Sequence, residues 1–574
     1  MKKILSNVMA IAMVAGLACG AAACNPNNVV EEIDENKVQL YVASYSGGAG
    51  YKWLDDPSND EADDAESRFE AKYANTQFGD KTGVQVIVES SKVFSASKVK
   101  DSLTAGSYDM YFAPASYYEH VSAGDFLDVT DMLQAVSPID NKTIESKIEA
   151  DKQSLLKVDG KYYALPYFYI TQGITYDAGL FNENKLYYSN VMDSDGMRKF
   201  VTTKDATNLS CGPDAVYGTY DDGMPSSIKE IYKLMDRMRS GGGGEQILPF
   251  AFNGAGTFYT NYLMRAISAN IDGIDAVNVH NKFHSNEKEV KVVTGFDGDT
   301  PIFENKVLTE DNAYLMKSTA GMYYASEFAN RLFSDANNYD SEAAGATSSN
   351  LYAMERFLKS GIDGSSTPVG MFIEGSYWYC EANADGVMDR VKKYGTKDLR
   401  VMPLPHQYEG TVEPKADGET PVSQVLTDEL GYAFIAADIP SERLEAAKLF
   451  MQFLYSDEEL VKAELANEGV QRAVTYDASS IQDQLPGYAR SLNTIRAQAI
   501  ANNTICAMGS QNPISLKAGT YFTQENRSGY WTLVVSGQTF GDPFTAFSEG
   551  NLTLKQYFEG LQISKTVWEG NYLQ

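Results

Sequence analysis

Alternation and periodicity in the first part of the chain predict strands and helices in turn. Residues 39–44 (QLYVAS) form an apolar, β-prone run that leads into the glycine-rich stretch Tyr45-Ser46-Gly47-Gly48-Ala49-Gly50. Ala65, Phe69 and Tyr73 then recur at the spacing of one helix face. Gly83 precedes a second strand, in which Val84, Val86 and Val88 alternate, and a short helix carrying Val99 and Leu103 follows. Tyr108-Asp109-Met110-Tyr111-Phe112 reads as a third strand. A βαβαβ order implies a parallel sheet with right-handed crossovers, and such sheets bind ligands beyond the carboxyl ends of their strands. Those ends are the loops 45–53, 89–94 and 112–118.

A second unit is predicted from about residue 169. Ser227 and Glu230 have capping-box spacing, and Ile228, Ile231, Met235 and Met238 line one helix face that Gly241–Gly244 stop. Residues 248–252 (LPFAF) read as a strand, and a helix near 257–268 carries Tyr259, Tyr262 and Leu263. The clearest helical pair lies at 441–466. Its first member starts at Pro440-Ser441 and presents Leu444, Ala447, Phe450, Met451 and Leu454. Ser456 and Glu459 have capping-box spacing for the second, which Asn467 and Gly469 end. Polar stretches at roughly 190–224, 270–310, 335–350 and 406–425 read as surface insertions, and there is no internal repeat.

Composition narrows the class. The 574 residues are 43% hydrophobic and 22% charged, which fits several globular domains and excludes fibrous or disordered chains. A formal charge of −29 disfavours nucleic acid and anionic membrane surfaces as partners. The 37 tyrosines offer flat apolar faces with hydroxyl edges, a combination suited to polyhydroxylated ligands. Five cysteines are too few for a disulfide scaffold.

Residues 1–23 have a basic start at Lys2-Lys3, an apolar run and small residues, as a secretory signal peptide does. Ala21-Ala22-Ala23-Cys24 resembles a bacterial lipobox, with Cys24 as the lipidated first residue of the mature chain; Leu17-Ala18-Cys19 is a weaker rival, and plain secretion is the alternative. Residues 24–37 then read as lipid anchor and acidic tether, which places the folded body on the extracellular face of the cytoplasmic membrane.

Catalytic signatures are missing. There is no G-x-S-x-G elbow, P-loop or G-x-G-x-x-G turn. His280 and His284 have zinc-helix spacing, but Asn281 stands where a metalloprotease needs its glutamate, so they read as two solvent-facing histidines. Carboxylates are abundant and none stands out as a glycosidase pair. Asp214, Asp221 and Asp222, with Gly218 and Gly223, form a turn that either places hard oxygens around a structural Ca²⁺ or is a plain polar loop. No other cofactor is expected.

Four stretches, taken together and in order, resemble the extracellular solute-binding proteins of carbohydrate ABC importers, family 1 of the maltose-binding protein superfamily. They are Gly124-Asp-Phe-Leu-Asp128-Val-Thr-Asp131; Gly160-Lys-Tyr-Tyr-Ala-Leu-Pro166 with Tyr176, Leu180 and Phe181; Gly370-Met-Phe-Ile-Glu-Gly375-Ser-Tyr-Trp378; and Pro403-Leu-Pro405 with Gly431-Tyr-Ala-Phe-Ile435 and Glu445-Ala-Ala447. The resemblance implies an α/β, two-lobed periplasmic-binding-protein-like fold. Lobe one would span 38–168 with 428–475, and lobe two 169–427 with 476–574. It implies a monomer that closes on an oligosaccharide and delivers it to ABC permease subunits, meeting the membrane only through its anchor. Loop position and the resemblance together nominate Trp53, Phe112, Tyr259, Tyr377, Trp378 and the pair Tyr530-Trp531 as sugar-stacking rings. Core packing competes for each of them. A binder of polyamines or peptides, a secreted glycoside hydrolase and a polysaccharide adhesin are the alternatives.

Overall fold

A computed structural model describes residues 32–45, 51–55, 63–91, 96–115, 117–171, 173–256, 258–273, 275–276, 279–280, 283–345, 347–414, 425–429, 431–501, 505–507 and 531–571. The signal segment, Cys24 and Tyr530 lie outside the described residues. The chain divides into two compact units, Met1–Phe168 with Leu430–Ser480 and Tyr169–Glu429 with Ile481–Gln574.

The first unit is built on a five-stranded sheet. Val38–Tyr45 lies between Val84–Ser91 and Met110–Ala113 and is parallel to both. Tyr432–Ile435 joins antiparallel to Met110–Ala113, and Leu165–Pro166 closes the edge. The valine alternation thus belongs to a true parallel strand, and the predicted βαβαβ order holds. Helix Ser441–Leu454 packs against helix Ala65–Tyr73, with Phe450 4.6 Å from Phe69, centroid to centroid. The next helix, Asp457–Ala466, departs from its expected capping box: Ser456 makes no side-chain cap bond. Glu459 is taken instead by Arg68, whose Nε donates to it at 3.0 Å. A charge-assisted pair to a nearly buried carboxylate outweighs a neutral cap.

The second unit carries a four-stranded sheet. Leu248–Phe252 is parallel to Val369–Ile373, and Ile174–Asp177 runs antiparallel between Val369–Ile373 and Leu399–Met402. Helix Ile228–Ser240 begins where Ser227 Oγ accepts the Glu230 N–H and ends at Gly241, whose φ of 64° is one that glycine adopts without strain. The capping box here is only half formed, because the Glu230 carboxylate accepts from Ser226 N–H and Oγ.

Two of the polar stretches are not loose surface. Glu289–Asp297 and Thr300–Val307 form a hairpin with Val290 and Val292 turned inward. Within 190–224, Cys211, Asp214 and Asp221 are buried.

Candidate functional site

Val369–Ile373 is a central strand whose residues are all small or apolar, so it is buried along its whole length. It delivers Glu374 to its carboxyl end, 3% exposed, ahead of helix Trp378–Ala384. Glu374 Oε1 accepts its neighbour Gly375's N–H at 3.3 Å, and the Tyr259 hydroxyl also hydrogen-bonds to the carboxylate. Glu381, one helical turn on from Tyr377, is also buried, and its Oε1 accepts from Asn350 at 3.0 Å. Burial pushes the Glu374 carboxyl well above the usual carboxylate range, and the charge of Glu381 adds to the rise.

Two tyrosines complete this cluster. Tyr259, from helix Phe258–Asp272, and Tyr377 meet hydroxyl to hydroxyl, with ring centroids 6.1 Å apart in edge contact. Gly375 is what lets them close. A Cβ there would lie 3.0 Å from Tyr259 Cε1 and 3.1 Å from Tyr377 Cε1. Ser376 ties the loop to its surroundings, since its Oγ accepts the Thr171 N–H at 3.0 Å and its carbonyl accepts the Tyr488 hydroxyl at 3.0 Å. The result is two acids and two phenols gathered at the end of a strand.

A second cluster lies at the strand ends of the first unit. The Arg472 guanidinium carbon is 4.5 Å from the Trp53 ring centroid, 4.4 Å from Tyr167 and 4.9 Å from Tyr455. Ser44, near the end of its strand, hydrogen-bonds through its side chain to Tyr167.

Several nominated rings have structural work. Trp378 is 0% exposed; its Nε1–H donates to Thr175 Oγ1 at 3.2 Å, and it packs edge-on against Phe372 and Tyr488. Trp531, equally buried, donates to the Asn261 carbonyl at 3.1 Å and so braces the helix that carries Tyr259. Phe112 is a core residue 5.2 Å from Tyr167. Trp53 is buried against Arg472. Adjacent residues at a helix start point about 100° apart, so Tyr377 and Trp378, both buried, pack against different neighbours. Trp378 meets Phe372 and Tyr488, and Tyr377 joins Tyr259.

The mannobiose-bound binding protein of an ABC transporter from Bifidobacterium animalis subsp. lactis is similar in structure. It has 12% sequence identity and a TM-score of 0.53, over 96% of this chain and 99% of that one. The apo form of RafE from Streptococcus pneumoniae has 13% identity and a TM-score of 0.53, over 94% and 100%. A structure of the solute-binding protein RafE in complex with raffinose has 12% identity and a TM-score of 0.50, over 92% and 99%. The fold is theirs. No family model and no curated protein sequence matches this chain.

Glu374 and Glu381 escaped the sequence reading. The signal was present: an acid directly after the all-apolar run Val369–Ile373, in a Gly-Ser turn. Arg472, between Val470 and Val474, has the same character.

The aspartate turn is held by its own hydrogen bonds. Among the described residues no three metal-ligating side chains converge. Asp221 accepts from Asp214 N–H at 3.0 Å and Thr219 Oγ1 at 2.6 Å, Asp222 from Gly218 N–H at 2.8 Å, and Asp214 from Val216 N–H at 2.8 Å. Burial, then the charge of Asp214, lift the Asp221 carboxyl well above the usual range. A folded-state value above the unfolded one means no cost below about pH 4, where both forms hold the proton, and a growing cost as pH rises past it. Asp221→Asn is therefore expected to gain about 1–3 kcal/mol over wild type at pH 8 and far less at pH 4.5. Thermal melts at the two pH values check this, and millimolar calcium should shift neither protein.

His280 also corrects the expectation of solvent exposure. It is buried, and burial with the charges of Lys317 and Arg265 keeps it neutral.

Proposed function

We propose that this chain is an extracellular lipoprotein, anchored through Cys24, that captures a neutral oligosaccharide and hands it to the permease subunits of an ABC importer without chemical change. The cluster Glu374–Glu381–Tyr259–Tyr377, a set of fixed polar groups at the carboxyl end of a strand, carries the reading. Sugar hydroxyls need such donors and acceptors in a partly dried setting, and ring faces suit sugar C–H surfaces. The solved relatives of this fold include proteins that bind mannobiose and raffinose. The overall charge of −29 suits an uncharged solute better than an anionic one.

The same two carboxyls favour one other reading, a polyamine held by cation–π and ionic contacts. Calorimetric titration with a panel of oligosaccharides, spermidine and short peptides separates the two. Saturable heat with an oligosaccharide alone supports the proposal. Release of reducing ends from that sugar by the purified protein would replace it with a hydrolase.

A further inference from the structure

A pocket of about 370 Å³ opens in the second unit between the end of helix Ile228–Ser240 and the strand Arg198–Phe200, apart from the residues described above. Its charged lining is Lys185, Lys199, Lys233 and Arg237, with no acidic side chain among the lining residues. Four cations around one cavity are out of character for a chain with 77 acids to 48 bases.

Among the described residues only Lys233 of the four is neutralised by contact. Lys233 pairs with Asp193 and also donates to the Arg198 carbonyl at 3.1 Å. Arg237 has no carboxylate partner among the described residues. Its Nε donates to the Lys185 carbonyl at 3.1 Å, and its guanidinium lies 4.5 Å over the Phe200 ring. Phe200 is backed on stacking contact by Tyr188, with centroids 4.4 Å apart, so the arginine is held flat and in place. Lys185 adopts φ of 54°, a conformation costly for a residue with a Cβ. The bond from Arg237 to its carbonyl helps to hold it there. Thr202 adds a hydroxyl to the rim.

We propose that this pocket binds a small phosphate-bearing solute, with Arg237 as the planar fork and Lys185 and Lys199 as point charges. Arginine with lysine is the donor set that matches a tetrahedral dianion. The pocket volume is that of a small-molecule site. Distant acids do not prevent such binding, since charges beyond roughly 8 Å are screened at physiological ionic strength. They do oppose approach of an extended anionic bilayer, which selects a free solute over a lipid headgroup.

The test is calorimetry on the mature chain at fixed ionic strength with inorganic phosphate, glycerol phosphate and citrate, against a chloride blank. Phosphate compounds are expected to bind with Kd of about 1 mM or tighter. Lys199→Glu, an exposed position, is expected to weaken them at least tenfold with an unchanged melting temperature in the absence of ligand. Arg237→Lys should weaken them too, by loss of the fork. Heat no greater than the chloride blank, heat unaffected by Lys199→Glu, or tighter binding of citrate than of phosphate would overturn the proposal. Phosphatidylglycerol vesicles serve as the remaining arm: retention of the protein on them through Lys199 would overturn the choice of a free solute.

Discussion

Trp378→Ala is expected to lower the stability of the second unit by about 3–5 kcal/mol, the usual cost of emptying a tryptophan site in a core. The ring is fully buried, with Phe357, Phe372, Tyr379 and Tyr488 around it. Its loss also leaves Thr175 Oγ1 without the indole donor. Trp378→Phe keeps most of the volume and should cost about half as much, through the lost hydrogen bond and a smaller cavity. Urea unfolding reads both. The sequence pattern alone favoured this ring as a sugar platform, and the two roles predict opposite results. A core ring gives a large loss of stability, with near-native affinity in the fraction that remains folded. A platform gives near-native stability and a large loss of affinity, and that outcome would overturn the core assignment.

How far the sequence could be read follows from such cases. Strands surfaced where burial is two-sided or alternates cleanly. The predicted strand at 248–252 coincides with Leu248–Phe252, and the alternating valines mark Val84–Ser91. The α/β class followed from the order of those elements, because few topologies satisfy it. The hairpin at Glu289–Asp297 and Thr300–Val307 was hidden by its charged outer face. Its signals, Val290 and Val292 in alternation and a two-residue Gly298-Asp299 turn, are short ones. Capping boxes were half legible: the spacing marked the helix starts, but Glu230 took Ser226, next to the cap, and Glu459 took the distant Arg68. The direction of a ring was not legible at all. Tyr377 and Trp378 are neighbours in sequence and differ only in which side of the helix start they occupy, and packing from Phe357 and Tyr488, far along the chain, decides it.

Glu374→Ala is expected to weaken binding of the proposed oligosaccharide by about 10–100-fold, since a buried polar partner left unsatisfied costs on the order of 1–3 kcal/mol. Glu374→Gln, in contrast, should stay close to wild type. Burial and the neighbouring charge of Glu381 hold the carboxyl well above its ordinary range, so it keeps its proton to higher pH than a free carboxyl does. A protonated carboxyl has one donor and acceptor capacity to spare, and a carboxamide reproduces both. The same state sets the pH dependence. The proton stays on while pH is below the raised value, so sugar affinity should be greatest at the lower pH and fall as pH rises past that value, as ionisation removes the donor. A cationic amine would reverse each sign: it would draw the proton off, bind more tightly as pH rises, and lose as much affinity in Glu374→Gln as in Glu374→Ala. Calorimetry of the three proteins at pH 5, 7 and 9 reads all of this at once. Loss of oligosaccharide binding in Glu374→Gln would mean that the carboxylate is ionised in the complex, and the neutral-acid account of the site would then be wrong.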